Sequence, residues 1–139
     1  MILMFEVFNN TETDYELNDL VNFNSVKYSD CRVRSTNGTT FTICTPGRYY
    51  VVFNGVASSS VAAAPFSVQL LVNNVTVPAI RTEITSTAAD DPQTMTMSTI
   101  INVLPSNCYV DNTTNIQVQV TSTDAGTIYN TNLIIFRLK

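Results

Sequence analysis

The chain has 139 residues, a size at which a single domain buries roughly 68 to 70% of its unfolded surface and needs no staples to hold a core. Only 13% of residues are charged, well below the ordinary share of about 25%, while Thr, Asn and Val are common, which favours sheets over helices. The net charge is −4 and the nearest approach to a basic cluster is Arg32 with Arg34, so a nucleic-acid partner is not expected.

Met1 to Phe8 is apolar, yet Glu6 interrupts it and it carries neither a basic start nor a small-residue cleavage site. It reads as a strand over 2–8, not as a signal peptide. Thr13 to Leu17 offers a possible helical turn, the one trace of helical period. Short β-rich runs bounded by turn residues follow at 31–35, 39–44, 48–57, 66–73, 75–84, 94–104, 115–122 and 128–138. Their spacing predicts an all-β antiparallel sandwich or closed roll, and no linker or repeat divides residues 1–139, which are read as one domain. No stretch reaches the 18 or so apolar residues that a membrane helix requires. The expectation is a soluble product of cytosolic synthesis without membrane insertion.

The runs are of two kinds. Phe66, Val68, Leu70 and Val72 alternate with Ser67 and Gln69, as Ile116, Val118 and Val120 do with Gln117, Gln119 and Thr121, so these strands bury one face. Ile2 to Phe8, Tyr49 to Phe53 and Leu133 to Phe136 are apolar at successive positions and must remove both faces from water. If these three runs share a sheet, its outer face needs a cover, and with no helix available the economical cover is another copy of the chain. Tyr49, Val51, Phe53, Leu133, Ile135 and Phe136 are therefore expected to be divided between core and self-association interface.

Two rules compete around Asn37-Gly38. A two-residue hairpin turn would set Cys31 opposite Cys44 and put Arg32 and Arg34 on the face of Ile43 and Phe41. A three-residue loop of Thr36-Asn37-Gly38 aligns Val33 with Phe41 and Cys31 with Ile43, segregating apolar from polar side chains. Burial of several side chains at roughly 1.5 to 3 kcal/mol each should outweigh the turn preference, so the bulged register without a disulfide is expected. Cys108 is the odd third cysteine.

The chain contains no His, which removes the Ser-His-acid and Cys-His catalytic designs and the common zinc patterns. Asp90 with Asp91, Asp111 or Asp124 could pair as glycosidase carboxylates, and Asp90-Asp91 could offer oxygen ligands to Ca²⁺. Each lies in a polar, turn-like segment where Asp is expected for backbone reasons, and no spaced ligand loop accompanies them. No enzyme activity, metal or cofactor is therefore expected. The sequons at Asn9, Asn37, Asn74 and Asn112 carry no weight in a chain so rich in Asn, Thr and Ser.

Asn18 to Asn24, the run Phe41-Thr42-Ile43-Cys44-Thr45-Pro46-Gly47-Arg48-Tyr49-Tyr50-Val51-Val52, the hairpin Val68 to Pro78, and the closing Asn132 to Leu138 together resemble the tumour necrosis factor-like and complement-type globular head superfamily. The likeness spans nearly the whole chain. It is nearest to the C-terminal heads of bacterial collagen-like exosporium glycoproteins and related phage proteins. The resemblance implies a ten-stranded, two-sheet jelly roll forming a threefold trimer. It departs from those relatives in lacking their Gly-X-Y stalk, since the chain has four glycines.

In an all-antiparallel roll the connections 58–65, 85–93 and 123–127 fall at one end, and 45–47, 73–74, 105–114 and both termini at the other. With the terminal end as anchor, Ser58, Ser59, Ser60, Ala63, Thr87, Asp90, Asp91 and Asp124 become the candidate contact residues. The functional expectation is a non-enzymatic homotrimer on a phage virion surface, as a capsid decoration or short fibre knob, meeting other virion proteins or a host-surface molecule. A bacterial surface or spore-coat lectin-like head is the alternative, and a carbohydrate-active enzyme the third.

Overall fold

The computed structural model describes residues 4–105 and 113–138, with backbone alone for 76–79. Cys108, Asp111 and the sequon at Asn112 lie outside the described residues.

Eleven strands run through them: β1 (Met4–Asn9), β2 (Thr13–Tyr15), β3 (Ser25–Tyr28), β4 (Val33–Thr36), β5 (Thr40–Ile43), β6 (Gly47–Ser59), β7 (Pro65–Val72), β8 (Val75–Thr85), β9 (Gln93–Val103), β10 (Thr114–Val120) and β11 (Gly126–Arg137). They form two antiparallel sheets. The first has the order β3-β1-β11-β6-β9 with β2 also pairing β11, and the second the order β4-β5-β10-β7-β8. The three runs with two apolar faces, β1, β6 and β11, are neighbours at the centre of the first sheet.

Alternation explains the layering. Along β6, Tyr49, Val51, Phe53 and Ala57 turn inward, and along β11, Leu133 and Ile135 do the same. They meet Phe66, Val68 and Leu70 of β7 and Ile116, Val118 and Val120 of β10, all buried. An aromatic relay crosses between the sheets: Phe5 of β1 lies 5.6 Å from Phe41 of β5, Phe41 lies 5.7 Å from Phe23, and Phe23 lies 6.2 Å from Phe53 of β6. The tilted and edge-on arrangements suit the ring quadrupoles. Burial pushes the phenols of Tyr15 and Tyr49 above the usual range, and each is satisfied. Tyr49 donates to the Thr45 carbonyl at 2.6 Å, and Tyr15 accepts from the Asn22 N–H at 3.1 Å.

Two expectations are corrected. Thr13 to Leu17 forms no helical turn, because residues 13–15 pair instead with Ile128, Thr127 and Gly126 of β11, and Asp14 accepts a 2.7 Å hydrogen bond from Thr127. The β4-β5 hairpin is shifted by two residues from the expected bulged register, pairing Val33 with Ile43, Ser35 with Phe41 and Thr36 with Thr40. Asn37 and Gly38 both adopt left-handed backbone and the Thr39 N–H reaches the Thr36 carbonyl at 3.2 Å, so the tight turn forms on Asn-Gly and Thr39 is the extra residue. The even offset preserves the segregation of faces. Val33, Phe41 and Ile43 are buried, Arg34 is exposed, and the Cys44 N–H bonds to the Arg32 carbonyl at 2.8 Å, so Cys44 stands opposite Arg32 and not Cys31. Cys31 and Cys44 are exposed free thiols.

Candidate functional site

Residues that alternate with the core on β1, β6, β9 and β11 form the outer face of the first sheet, and strand register arranges them in rows. Nearest the termini, Met4 pairs with Phe136, Phe136 with Tyr50, and Tyr50 with Ile100. In the next row Glu6, Ile134, Val52 and Ser98 are successive partners, with Tyr28 of β3 beyond Glu6. Tyr50 is 39% exposed and Ile100 57%, which is unusual for large apolar groups clustered on one surface. Glu6 is the acid within this patch, and it is held down: the Lys27 ammonium lies 3.8 Å from its carboxylate and the Asn132 amide donates to the same oxygen at 3.4 Å.

The face changes character toward the opposite end. Phe8, Asn132, Asn54 and Thr96 make the third row, and Asn130, Val56 and Thr94 the fourth. A groove of about 540 Å³ lies over these rows, beside a register shift between Ile128 and Asn130.

Of the six residues expected to be divided between core and interface, Tyr49, Val51, Phe53, Leu133 and Ile135 lie in the core, and Phe136 is half-buried on the outer face. The outer-face residues that sequence reading did not single out are Met4, Tyr50, Val52, Ile100 and Ile134. Their signal was parity: whichever face of β6 holds Tyr49 and Val51, the other must hold Tyr50 and Val52.

The connections 60–64, 86–92 and 121–125 gather at the end away from the termini and are joined by hydrogen bonds. Ser60 N–H donates to Ala125 at 3.0 Å, Ala63 N–H to Ser86 at 2.8 Å, and Asp90 N–H to Ser59 at 2.9 Å. Ser60, Ala63, Thr87 and Asp90 are exposed there, and Asp91 and Asp124 are half-buried. Ser58 and Ser59 are corrected. Both are 0% exposed, because β6 continues through them to pair with Thr127 and Gly126, and the Ser59 N–H is covered by the Ser86 hydroxyl at 3.2 Å. Gly126 permits this closeness, since a Cβ there would overlap the Phe66 ring and stand 2.6 Å from the Ser58 carbonyl oxygen.

Asp90 has a left-handed backbone, and Asp91 accepts from Thr87 at 3.4 Å and Gln93 at 3.5 Å. Turn formation accounts for both. Among the described residues no three Cys, Asp or Glu side chains gather as a metal cluster would.

Known structures share this arrangement of strands. The globular domain of zebrafish complement 1qA protein superposes with a TM-score of 0.71 at 13% identity, covering 98% of this chain and 97% of that one. The Eiger TNF of S. frugiperda gives 0.78 at 12% identity over 99% and 93%, and murine APRIL 0.69 at 11% identity over 99% and 100%. The fold is the TNF and complement-type jelly roll. No family model and no curated protein matches the sequence. At such identities the likeness establishes the architecture of the TNF-like head and leaves its function to be argued from its surfaces.

Proposed function

We propose that this TNF-like head is a non-enzymatic homotrimer that coats or binds, packed through the apolar half of the outer face of its first sheet. The observation that carries the reading is the pair of rows formed by Met4, Phe136, Tyr50 and Ile100 and by Ile134 and Val52, large apolar groups gathered where, among the described residues, no other element lies over them. The threefold arrangement is what resemblance to TNF-like heads implies. Light scattering at micromolar concentration is expected to return three times the 15.3 kDa chain mass. A monomer mass would overturn the reading.

The finer placement we propose is a phage virion surface, as a capsid decoration or short fibre knob, with a bacterial surface or spore-coat head as the second reading. The joined loops at the end away from the termini support a contact role, because short polar loops on a rigid scaffold are where recognition residues concentrate. Replacing residues 60–64 by an unrelated Gly/Ser segment is expected to abolish adsorption to the target while leaving the oligomer mass unchanged. The swap leaves Ser58 and Ser59 in place because both are buried. Adsorption that survives this swap and also replacement of 87–90 would move the contact surface elsewhere. Immunogold labelling of purified native particles tests the virion placement, which fails if the label stays off them.

A further inference from the structure

The groove on the polar half of the outer face is lined by uncharged side chains, in which amides and hydroxyls stand among apolar groups that include Val56 and Met95. Asn54, Asn130 and Asn132 present amides, Thr94 and Thr96 present hydroxyls, and Phe8 closes one side with an aromatic ring. No lining residue is charged. Its volume of about 540 Å³ lies within the roughly 300 to 1,000 Å³ of ordinary ligand sites.

This lining selects by exclusion and by match. An anion or cation would lose hydration without meeting a counter-charge. Glu6, in the adjoining row, is already engaged by Lys27 and Asn132. A largely apolar ligand would leave the amides unpaired, at a cost for every buried donor or acceptor. Amides and hydroxyls can both donate and accept, and those of Asn54, Thr96 and Asn132 keep part of that capacity beside the bonds they already make, so the wall suits adjacent hydroxyl groups that also donate and accept. The Asn54 side chain is already oriented by a 3.0 Å bond from Thr96, which fixes its oxygen as acceptor and leaves its NH₂ for a ligand. Phe8 adds an aromatic group to the lining, the kind of surface against which the C–H face of a sugar ring can pack.

We propose that this groove binds a neutral saccharide, a short oligosaccharide without carboxylate or sulfate. The inference rests on the binding-head reading and names its ligand class. It places the sugar on sheet residues, on the half of the face next to the loop end and beyond the apolar rows.

The test uses the whole chain in its native oligomeric state, titrated with a panel of neutral oligosaccharides (lactose, maltotriose, mannotriose and a fucosylated trisaccharide) and with sialyllactose and a heparin fragment as charged controls. Backbone amide shifts followed by NMR are expected to move at Asn54, Thr94, Thr96 and Asn130 with at least one neutral sugar. Asn130→Ala, at an exposed position outside the core, is expected to weaken that binding roughly tenfold with the mass and thermal midpoint unchanged. Asn54→Ala gives an independent second variant. The proposal is overturned if no neutral sugar moves these residues, if only charged glycans do, or if Asn130→Ala changes the oligomer mass, which would make a second copy the occupant. A trimer without sugar-dependent shifts rejects this inference alone, whereas a monomer showing them rejects the trimer alone.

Discussion

Ile134→Asp is expected to convert the oligomer to a folded monomer, seen as a threefold fall in mass by light scattering with the far-UV circular dichroism retained. Ile134 is half-buried on the outer face between Glu6 of β1 and Val52 of β6. In the free chain an aspartate there can reach water. In a packed trimer it would be an uncompensated charge beside Glu6, and an unpaired buried charge costs several kcal/mol per site, repeated at each of three interfaces. The neighbouring substitution Leu133→Asp is the contrast, because Leu133 is fully buried and points to the core. That variant should not fold at all. A trimer mass retained by Ile134→Asp would show that this face is not where copies meet.

The second large effect is expected from Phe41→Ala, which should lower stability by about 3 to 5 kcal/mol without altering the mass of the molecules still folded. Phe41 is fully buried on β5 and touches both Phe5 and Phe23, so its ring links the first sheet to the second through the loop that carries Phe23. Removing it leaves a cavity bounded by rings from separate elements that cannot easily collapse into it. Chemical denaturation should show the loss as a lower midpoint with little change in slope. A loss below about 1 kcal/mol would mean that the relay is not a principal contact of the core.

Sequence reading went furthest where a strand's pattern is dictated by its own neighbours. The doubly apolar runs at β1, β6 and β11 stand together at the centre of one sheet, where one face of each meets the core and the other gathers into a single outer patch. The strands β2 and β3, with the sequences TDY and SVKY, were not expected. They are short and polar, and pairing with β11 and β1 decides their conformation, as context often does for strands. The hairpin at Asn37-Gly38 obeyed both of the competing rules by adding Thr39 after the tight turn, a solution invisible to a choice between them. Burial of Ser58 and Ser59 was equally hidden, since small hydroxyl residues resemble loop residues until Ser86, Asp90 and Gly126 are brought against them from distant parts of the chain. The amide groove left a faint trace, Asn or Thr at the outward positions 54, 94, 96, 130 and 132. Only the register between strands assembles them.

The bonds that tie Ser60 to Ala125, Ala63 to Ser86 and Asp90 to Ser59 have a consequence for how this end of the molecule can vary. Ala63 and Asp90 each adopt left-handed backbone while reaching for a neighbouring loop, so the conformation of one connection is underwritten by another. Substitutions there should be epistatic. A change tolerated in residues 60–64 alone would become costly once residues 86–92 had also diverged, and lineages would inherit these segments as compatible sets. New specificities would then arise first at side chains that project from the tips, such as Val61 and Ala62, which alter what is presented without disturbing the bonds that hold the presenter in shape.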